Sequence, residues 1–224
     1  MNKNLKALAA LAILSFFTFS CDKVTTPEKD KTQPRQNEES KEDNNDSQEP
    51  GGNTETGKTL IVYYSYTGNC AEIVSALSGI IEADELRVRE ADEGADYNAN
   101  GYKYGADLIN AINKAPNQAS SYPAIKDVDK KAEDYDTIIV VTPLWHSRMA
   151  AIMQTYLFQN GGKMSGKNIG LIVSSASSGI SGVESDAKRL VPGGKFFGTS
   201  LWINNSNRSK RADLVKEWVE KNIK

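Results

Sequence analysis

Small hydroxyl and amide side chains are concentrated in one short stretch, SYTGNC, at residues 65–70. Ser65, Thr67 and Asn69 alternate along it, and Gly68 permits a tight turn or a positive φ. The stretch lies between an apolar run and a helical pattern, so its backbone N–H groups and the helix dipole favour an anion. Because it contains no Lys or Arg, it differs from the GxxxxGK[ST] loop of nucleotide hydrolases. It suits a terminal phosphate held by neutral donors, although a polar turn that caps the helix is the simpler interpretation.

Two further loops follow predicted strands and carry groups that suit a flat ligand. Segment 143–147 places the ring of Trp145 at the end of a strand, and segment 174–179 consists of Ser, Ala and Gly. In open α/β sheets, ligands bind beyond the carboxyl ends of the strands. A phosphate loop, an aromatic plane and a polar backbone loop are together the parts of a flavin mononucleotide (FMN) site. The predicted cofactor-binding residues are Ser65, Tyr66, Thr67, Gly68, Asn69, Cys70, Thr142, Pro143, Leu144, Trp145, His146, Ser147, Ser174, Ser175, Ala176, Ser177, Ser178 and Gly179. No catalytic residue and no metal ligand is predicted.

Single side chains near these loops have more than one interpretation. His146, the only histidine, either contacts the flavin or faces solvent, and a proton-transfer role is the less favoured interpretation. Cys70 starts the helix, where a dipole could activate its thiol, but a small residue whose N–H meets the phosphate is preferred. Trp145 is expected to stack on the flavin because it ends a strand, whereas Trp202 and Trp218 are expected to pack in the core.

Strand and helix patterns alternate along the chain from residue 58. Apolar or alternating runs predict strands at 60–64, 86–89, 137–142, 168–173 and 197–203. Apolar residues at helical spacing predict helices at 69–80, 148–158, 183–191 and 211–223, with a further helix at 102–114 inside the long connection 91–136. This alternation predicts an open parallel α/β sheet with helices on both faces.

Three segments carry a family resemblance. The loop at 65–70 matches the pattern [ST]-x-[ST]-G-N-[TSC], and PLWHSRMAAIMQTYL at 143–157 is similar to P-I-W-W-G-x-x-P…F-L. DYNANGYKYGADLI at 96–109 is similar to a long connection that begins with Tyr-Asn. These patterns are those of the flavodoxin family, which residues 58–224 resemble. The resemblance implies a five-stranded parallel sheet of order 2-1-3-4-5 with FMN as the cofactor.

The chain departs from flavodoxins at some of these positions. Ser147 stands where flavodoxins often have a glycine whose peptide flips when the flavin is reduced, and we expect a residue with a Cβ to resist the positive φ involved. Such resistance would weaken stabilisation of the one-electron-reduced flavin. His146 replaces a second aromatic residue, and segment 174–179 lacks the Tyr that usually stacks on the outer flavin face.

The first 57 residues are expected to lie outside this domain. A basic start, an apolar stretch and Ser20-Cys21 make residues 1–20 resemble a bacterial lipoprotein signal that ends at a lipidated Cys21; an ordinary secretory signal is the alternative. Residues 22–57 are polar and charged, which predicts a disordered linker after the cysteine. We therefore expect a protein that a lipid anchors to a membrane of the bacterial cell envelope, with its domain outside the cytoplasm.

Charge and composition argue against nucleic acid as a partner. The formal net charge of the chain is −2, and 20 basic and 19 acidic residues lie from residue 58 onward. The domain from residue 58 onward therefore lacks the strong negative charge with which soluble flavodoxins dock on basic partners.

Two redox functions fit these features. One is an electron carrier that passes single electrons between proteins, and the other is an FMN-dependent oxidoreductase that takes hydride from NAD(P)H to a quinone or another small acceptor. The missing outer Tyr favours the enzyme, since nicotinamide must stack there. The absence of a recognisable nicotinamide-binding motif favours the carrier, which is slightly preferred. A binding module without flavin is a third hypothesis, against which the intact phosphate loop argues.

Overall fold

A mainly parallel β-sheet organises residues 57–224, the part of the chain that the computed structural model describes. Its strands are β1 (Thr59–Tyr63), β2 (Asp84–Arg87), β3 (Thr137–Trp145), β4 (Arg148–Met149), β5 (Asn168–Ser174), β6 (Lys195–Phe196) and β7 (Leu201–Ile203). The order across the sheet is β2-β1-β3-β5-β6, with β7 also beside β5 and β4 beside β3. Only the β3–β4 pair is antiparallel among these strands. Since β6 and β7 share one edge, the predicted order 2-1-3-4-5 is confirmed.

Helices cover both faces of this sheet. They are α1 (Asn69–Ser78), α2 (Ala99–Lys114), α3 (Ala151–Asn160), α4 (Ser181–Leu190) and α5 (Arg211–Asn222). The side chains of β1 alternate between two buried clusters: Leu60 and Val62 pack with residues of α2, α3 and α4, and Ile61 packs with residues of α1 and α5. A strand covered on both faces buries successive residues, which explains its continuous apolar sequence.

The predicted helix at 148–158 is wrong at its start and in its burial. Arg148–Met149 form β4, and α3 begins at Ala151. All residues from Ala151 to Leu157 are buried, although the sequence pattern predicts one apolar face. The cause is that α3 packs on the sheet between α2 and α4, so few of its side chains reach solvent.

The last predicted strand, 197–203, is divided. Pairing with β5 begins before the predicted range, at β6, and within the range only β7 is a strand. Between them the indole N–H of Trp218 donates to the carbonyl of Thr199 at 2.8 Å, which removes that carbonyl from the strand ladder. The indole lies so close to Gly170 of β5 that a Cβ there would come within 2.6 Å of the ring. Trp218 is buried as expected, and Trp202 is partly buried.

The predictions for the N-terminal region concern residues outside the described range. These are the signal at 1–20, the lipidated Cys21 and the linker at 22–57, of which only residue 57 is described. Within residues 57–224, no helix has the length and apolar character that crossing a membrane requires.

Candidate functional site

A two-residue hairpin ends the central strand of the sheet. Leu144 pairs with Met149 and Trp145 with Arg148, so His146 and Ser147 form the turn. Their φ values are 47° and 62°, as in a type I′ turn, in which both central residues have positive φ. The expectation that Ser147 resists a positive φ is therefore wrong. Non-glycine residues in this region cost ~1 kcal/mol each, and packing must hold them there.

A buried carboxylate holds this hairpin on α4. Asp186 is fully buried and accepts hydrogen bonds from Arg148 Nη2 at 2.6 Å, from the Met149 backbone N–H at 3.1 Å and from Arg189 Nη2 at 3.2 Å. Gly182, in the first turn of α4, lets the helix and the hairpin approach each other closely, since a Cβ there would lie 2.0 Å from the Ser147 carbonyl oxygen. These contacts explain how two residues with side chains keep a conformation that favours glycine.

The loop at 65–70 presents unused donors at the start of α1. Gly68 has φ 90°, and the backbone N–H groups of residues 67–70 make no hydrogen bond to any other part of residues 57–224. Ser65 Oγ accepts from the Ala71 N–H at 3.2 Å, and the Asn69 side-chain amide donates to Thr67 Oγ1 at 3.1 Å. The second bond leaves the Thr67 hydroxyl hydrogen free to point at a ligand. Convergent free N–H groups at a helix N-terminus form an anion cradle.

One cavity of about 340 Å³ lies where β1, β3 and β5 end. All three predicted loops contribute to its wall. The lining residues are Tyr66, Thr67, Asn69, Tyr97, Asn98, Tyr102, Gly105, Leu144, Trp145, His146, Ser174, Ser175, Ala176 and Asn205. The parallel topology thus brings together loops that are more than 100 residues apart in the chain, because parallel strands end at the same edge.

Half of the predicted site residues do not line this cavity. Those are Ser65, Gly68, Cys70, Thr142, Pro143, Ser147, Ser177, Ser178 and Gly179. Thr142 is buried inside β3, and the loop end at 177–179 is exposed. The Cys70 thiol is buried with the core residues under α1, and burial raises its pKa. An activated thiol at this position is thus excluded, while the Cys70 N–H stays among the free donors of the loop.

Five lining residues were not predicted: Tyr97, Asn98, Tyr102, Gly105 and Asn205. Four of them belong to the segment 96–109. The length of this connection and its Tyr-Asn start were the features of the sequence that could have pointed to a role in the site. A hydrogen-bond chain ties this segment to the phosphate loop, since the Tyr66 hydroxyl donates to Asp96 Oδ1 and accepts from Asn98 Nδ2, each at 3.1 Å.

An aromatic cluster forms the wall on this side. The ring centroid of Tyr97 lies 4.6 Å from that of Trp145, 5.3 Å from that of Tyr66 and 5.4 Å from that of Tyr104. Burial, followed by the nearby charge of Glu90, raises the pKa of Tyr97. Loss of hydration and the bond to Asp96 raise the pKa of Tyr66. The phenols of Tyr66 and Tyr97 are therefore neutral at physiological pH and offer rings and hydroxyl groups rather than charge.

Asn205 reaches the cavity through the connection between β7 and α5. Its backbone N–H donates to the Ala176 carbonyl at 3.0 Å, and the Trp202 indole donates to Ser175 Oγ at 2.8 Å. Segment 174–179 is therefore held against the last strand. Within residues 57–224, no group of three or more His, Cys, Asp or Glu side chains is arranged to hold a metal ion.

Three solved structures with the same fold are a flavoprotein and two flavoprotein candidates. A candidate from Bacteroides uniformis is 23% identical, with a TM-score of 0.58 over 74% of this chain and 99% of its own. One from Bacteroides eggerthii is 20% identical, with a TM-score of 0.58 over 73% and 96%. A Lactobacillus acidophilus flavoprotein, solved in complex with FMN, is 21% identical, with a TM-score of 0.54 over 70% and 99%.

Comparison with curated protein sequences gives no match. The sequence profile described as flavodoxin, in contrast, matches residues 58–222, which are most of the chain. This match spans β1 to α5 and includes every segment that lines the cavity. The protein belongs to the flavodoxin family.

Proposed function

We propose that the cavity binds FMN and that the protein is a redox carrier. The observation that carries the proposal is the joint presence, in one cavity, of a phosphate cradle and an aromatic ring. The cradle consists of the free N–H groups of residues 67–70, and the ring is that of Trp145. Membership of the flavodoxin family and the FMN complex of the L. acidophilus neighbour support the same cofactor.

The side chains divide the binding task by their chemistry. Thr67 and Asn69 would provide neutral donors for the phosphate, and Trp145 and His146, which line the same cavity, would contact the flavin ring. Residues 174–176 and Asn205 contribute polar groups to the same cavity wall, where they could meet a ring edge. FMN supplies the electron chemistry when it is bound, while the protein sets its orientation and access to it.

The aromatic wall favours the carrier over the enzyme. The oxidoreductase hypothesis depends on an open outer flavin face, because segment 174–179 lacks a Tyr. Tyr97 and Tyr102 add aromatic rings to the cavity wall from another segment, so the missing Tyr alone does not favour the enzyme. Tyr102 both lines the cavity and is 58% exposed, so a partner protein can contact its ring. The redox partner is then a protein, with NAD(P)H or a quinone as the alternative.

An anaerobic reductive titration of the FMN-loaded protein tests the carrier function. We expect two resolved one-electron steps, because a carrier that passes single electrons must separate them. Ser147 already has a positive φ, so its Cβ is no obstacle to such behaviour. A single two-electron step, together with rapid reduction by NADH or NADPH alone, would instead support the oxidoreductase.

We also propose that a lipid on Cys21 attaches the protein to a membrane of the bacterial envelope. The motif at residues 1–21 and the polar linker that follows support this proposal. Cys21→Ala should move most of the protein from the membrane fraction to the soluble fraction, because the acyl chains would be lost. Cys70→Ala is the matched control and should leave the distribution unchanged, since its thiol is buried in the folded domain. A Cys21→Ala protein that stays in the membrane fraction would refute lipid anchoring at this residue.

A further inference from the structure

The phosphate loop itself carries no positive charge. Residues 65–70 include no Lys or Arg, and a phosphomonoester carries a charge of about −1.5 to −2 at neutral pH. Arg87 reaches the loop from β2, but its Nη2 donates to the Ser65 carbonyl at 3.1 Å and does not line the cavity. The neutral cradle thus leaves most of the charge of such a ligand without a cationic partner.

A narrow cleft beside the cradle supplies a candidate for that partner. It shares Asn69, Ser174, Ser175 and Asn205 with the main cavity, and its other walls include Asn204, Arg208 and Arg211. The cleft and the cavity are therefore neighbours, separated by residues that both of them contact, Asn69 among them. The arginines come from the start of α5 and the turn before it, more than 130 residues from the loop.

The two arginines differ in their partners. Arg211 Nη1 forms an ion pair with Glu72 Oε2 at 2.5 Å, so its charge is largely compensated. Among the ion pairs of residues 57–224, none involves Arg208. Arg208 is thus the uncompensated guanidinium at the edge of the cleft.

The backbone that carries Arg208 is well anchored. Its N–H donates to the Asn204 carbonyl at 2.9 Å, and the Asn204 N–H donates to Asn207 Oδ1 at 2.7 Å. Asn205 is tied to Ala176, as described above. The Cα of Arg208 is therefore held in a fixed relation to the cavity wall, although its side chain is solvent-exposed.

We propose that Arg208 recognises the phosphate of the ligand and selects phosphorylated flavin over riboflavin. This inference rests on the proposed FMN site and adds a specificity residue to it. A guanidinium matches the geometry of phosphate oxygens, and charge-assisted hydrogen bonds are stronger than neutral ones. Since Arg208 is exposed, screening by salt reduces its contribution.

Titrations of the full-length protein with FMN and with riboflavin test the proposal. Arg208→Ala should weaken FMN binding by about 10-fold at low ionic strength and leave riboflavin binding unchanged. Arg208→Lys should recover part of the loss, because it keeps the charge but not the fork of donors. Added salt should weaken FMN binding more in the unmutated protein than in Arg208→Ala. Lys210→Ala, in the same turn, is the matched control for a general effect of surface charge.

Each other outcome overturns the inference in a distinct way. Equal FMN affinity in Arg208→Ala and the unmutated protein would show that the guanidinium does not contact the phosphate. If Arg208→Ala lost as much affinity for riboflavin as for FMN, Arg208 would have a structural role. If Lys210→Ala lost as much FMN affinity as Arg208→Ala, the cause would be the net charge of the surface. If the unmutated protein bound no FMN, the proposed function would fail as well. Binding of FMN with no effect of Arg208 would remove only this inference.

Discussion

Replacing both Thr67 and Asn69 with Ala is expected to weaken FMN binding by about 100-fold or more. Each side chain can donate one hydrogen bond to the phosphate, and bonds to a charged group contribute ~1.5–3 kcal/mol each. The effect of the pair should differ from the sum of the single effects, because the Asn69 amide donates to Thr67 Oγ1 and orients it. The measurement is a fluorescence titration of FMN with the double variant and with each single variant.

Asn110→Ala provides the control for this experiment. Asn110 is an exposed residue of α2 and does not line the cavity, so FMN affinity should stay within about two-fold of the unmutated value. A thermal unfolding curve shows whether the double variant is folded. If it is folded and binds FMN as tightly as the unmutated protein does, the assignment of residues 65–70 as the phosphate loop is refuted.

Asp186→Ala is expected to lower the free energy of unfolding by about 3–5 kcal/mol. The carboxylate is fully buried and compensates both Arg148 and Arg189, so its removal leaves two partly buried cations without an anionic partner. It also removes the acceptor of the Met149 N–H, which is buried in the hairpin. The free energy of unfolding of Asp186→Asn should lie between those of the unmutated protein and Asp186→Ala, since an amide oxygen can still accept one of these hydrogen bonds. Chemical denaturation without FMN measures the loss.

Asp107→Ala is the matched control for Asp186. Asp107 pairs with Lys103 on the exposed face of α2 at 2.5 Å, and an exposed pair of this spacing contributes about 0.5 kcal/mol or less. A comparable loss in both variants would mean that burial does not determine the effect. Full stability of Asp186→Ala would contradict the view that this carboxylate holds the hairpin.

Much of the fold follows from local sequence patterns. The continuous apolar runs of β1, β3 and β5 predict strands that are covered on both faces, and each is followed by a helical pattern. That alternation is enough to predict parallel strands and the edge at which the loops meet, while the order of the strands came from the resemblance to flavodoxins. The hairpin turn could not be predicted in this way. His146 and Ser147 adopt positive φ only because Asp186 and Gly182, some 35–40 residues later, hold them there.

The sequence by itself determined the chemistry of the site, and the tertiary structure decided which side chains share it. The loop SYTGNC carries its donors and its helix N-terminus within six residues, so local order was sufficient to predict an anion site. For Tyr97 and Tyr102 the sequence offered only the length and the Tyr-Asn start of their segment, and for Asn205 it offered nothing, because these segments reach the cavity through packing against Trp145 and hydrogen bonds to Tyr66 and Ala176. Arg208 illustrates the same point for charge. A loop without a cation acquires a guanidinium neighbour only when α5 folds against α1, because long-range packing and not sequence proximity sets that distance.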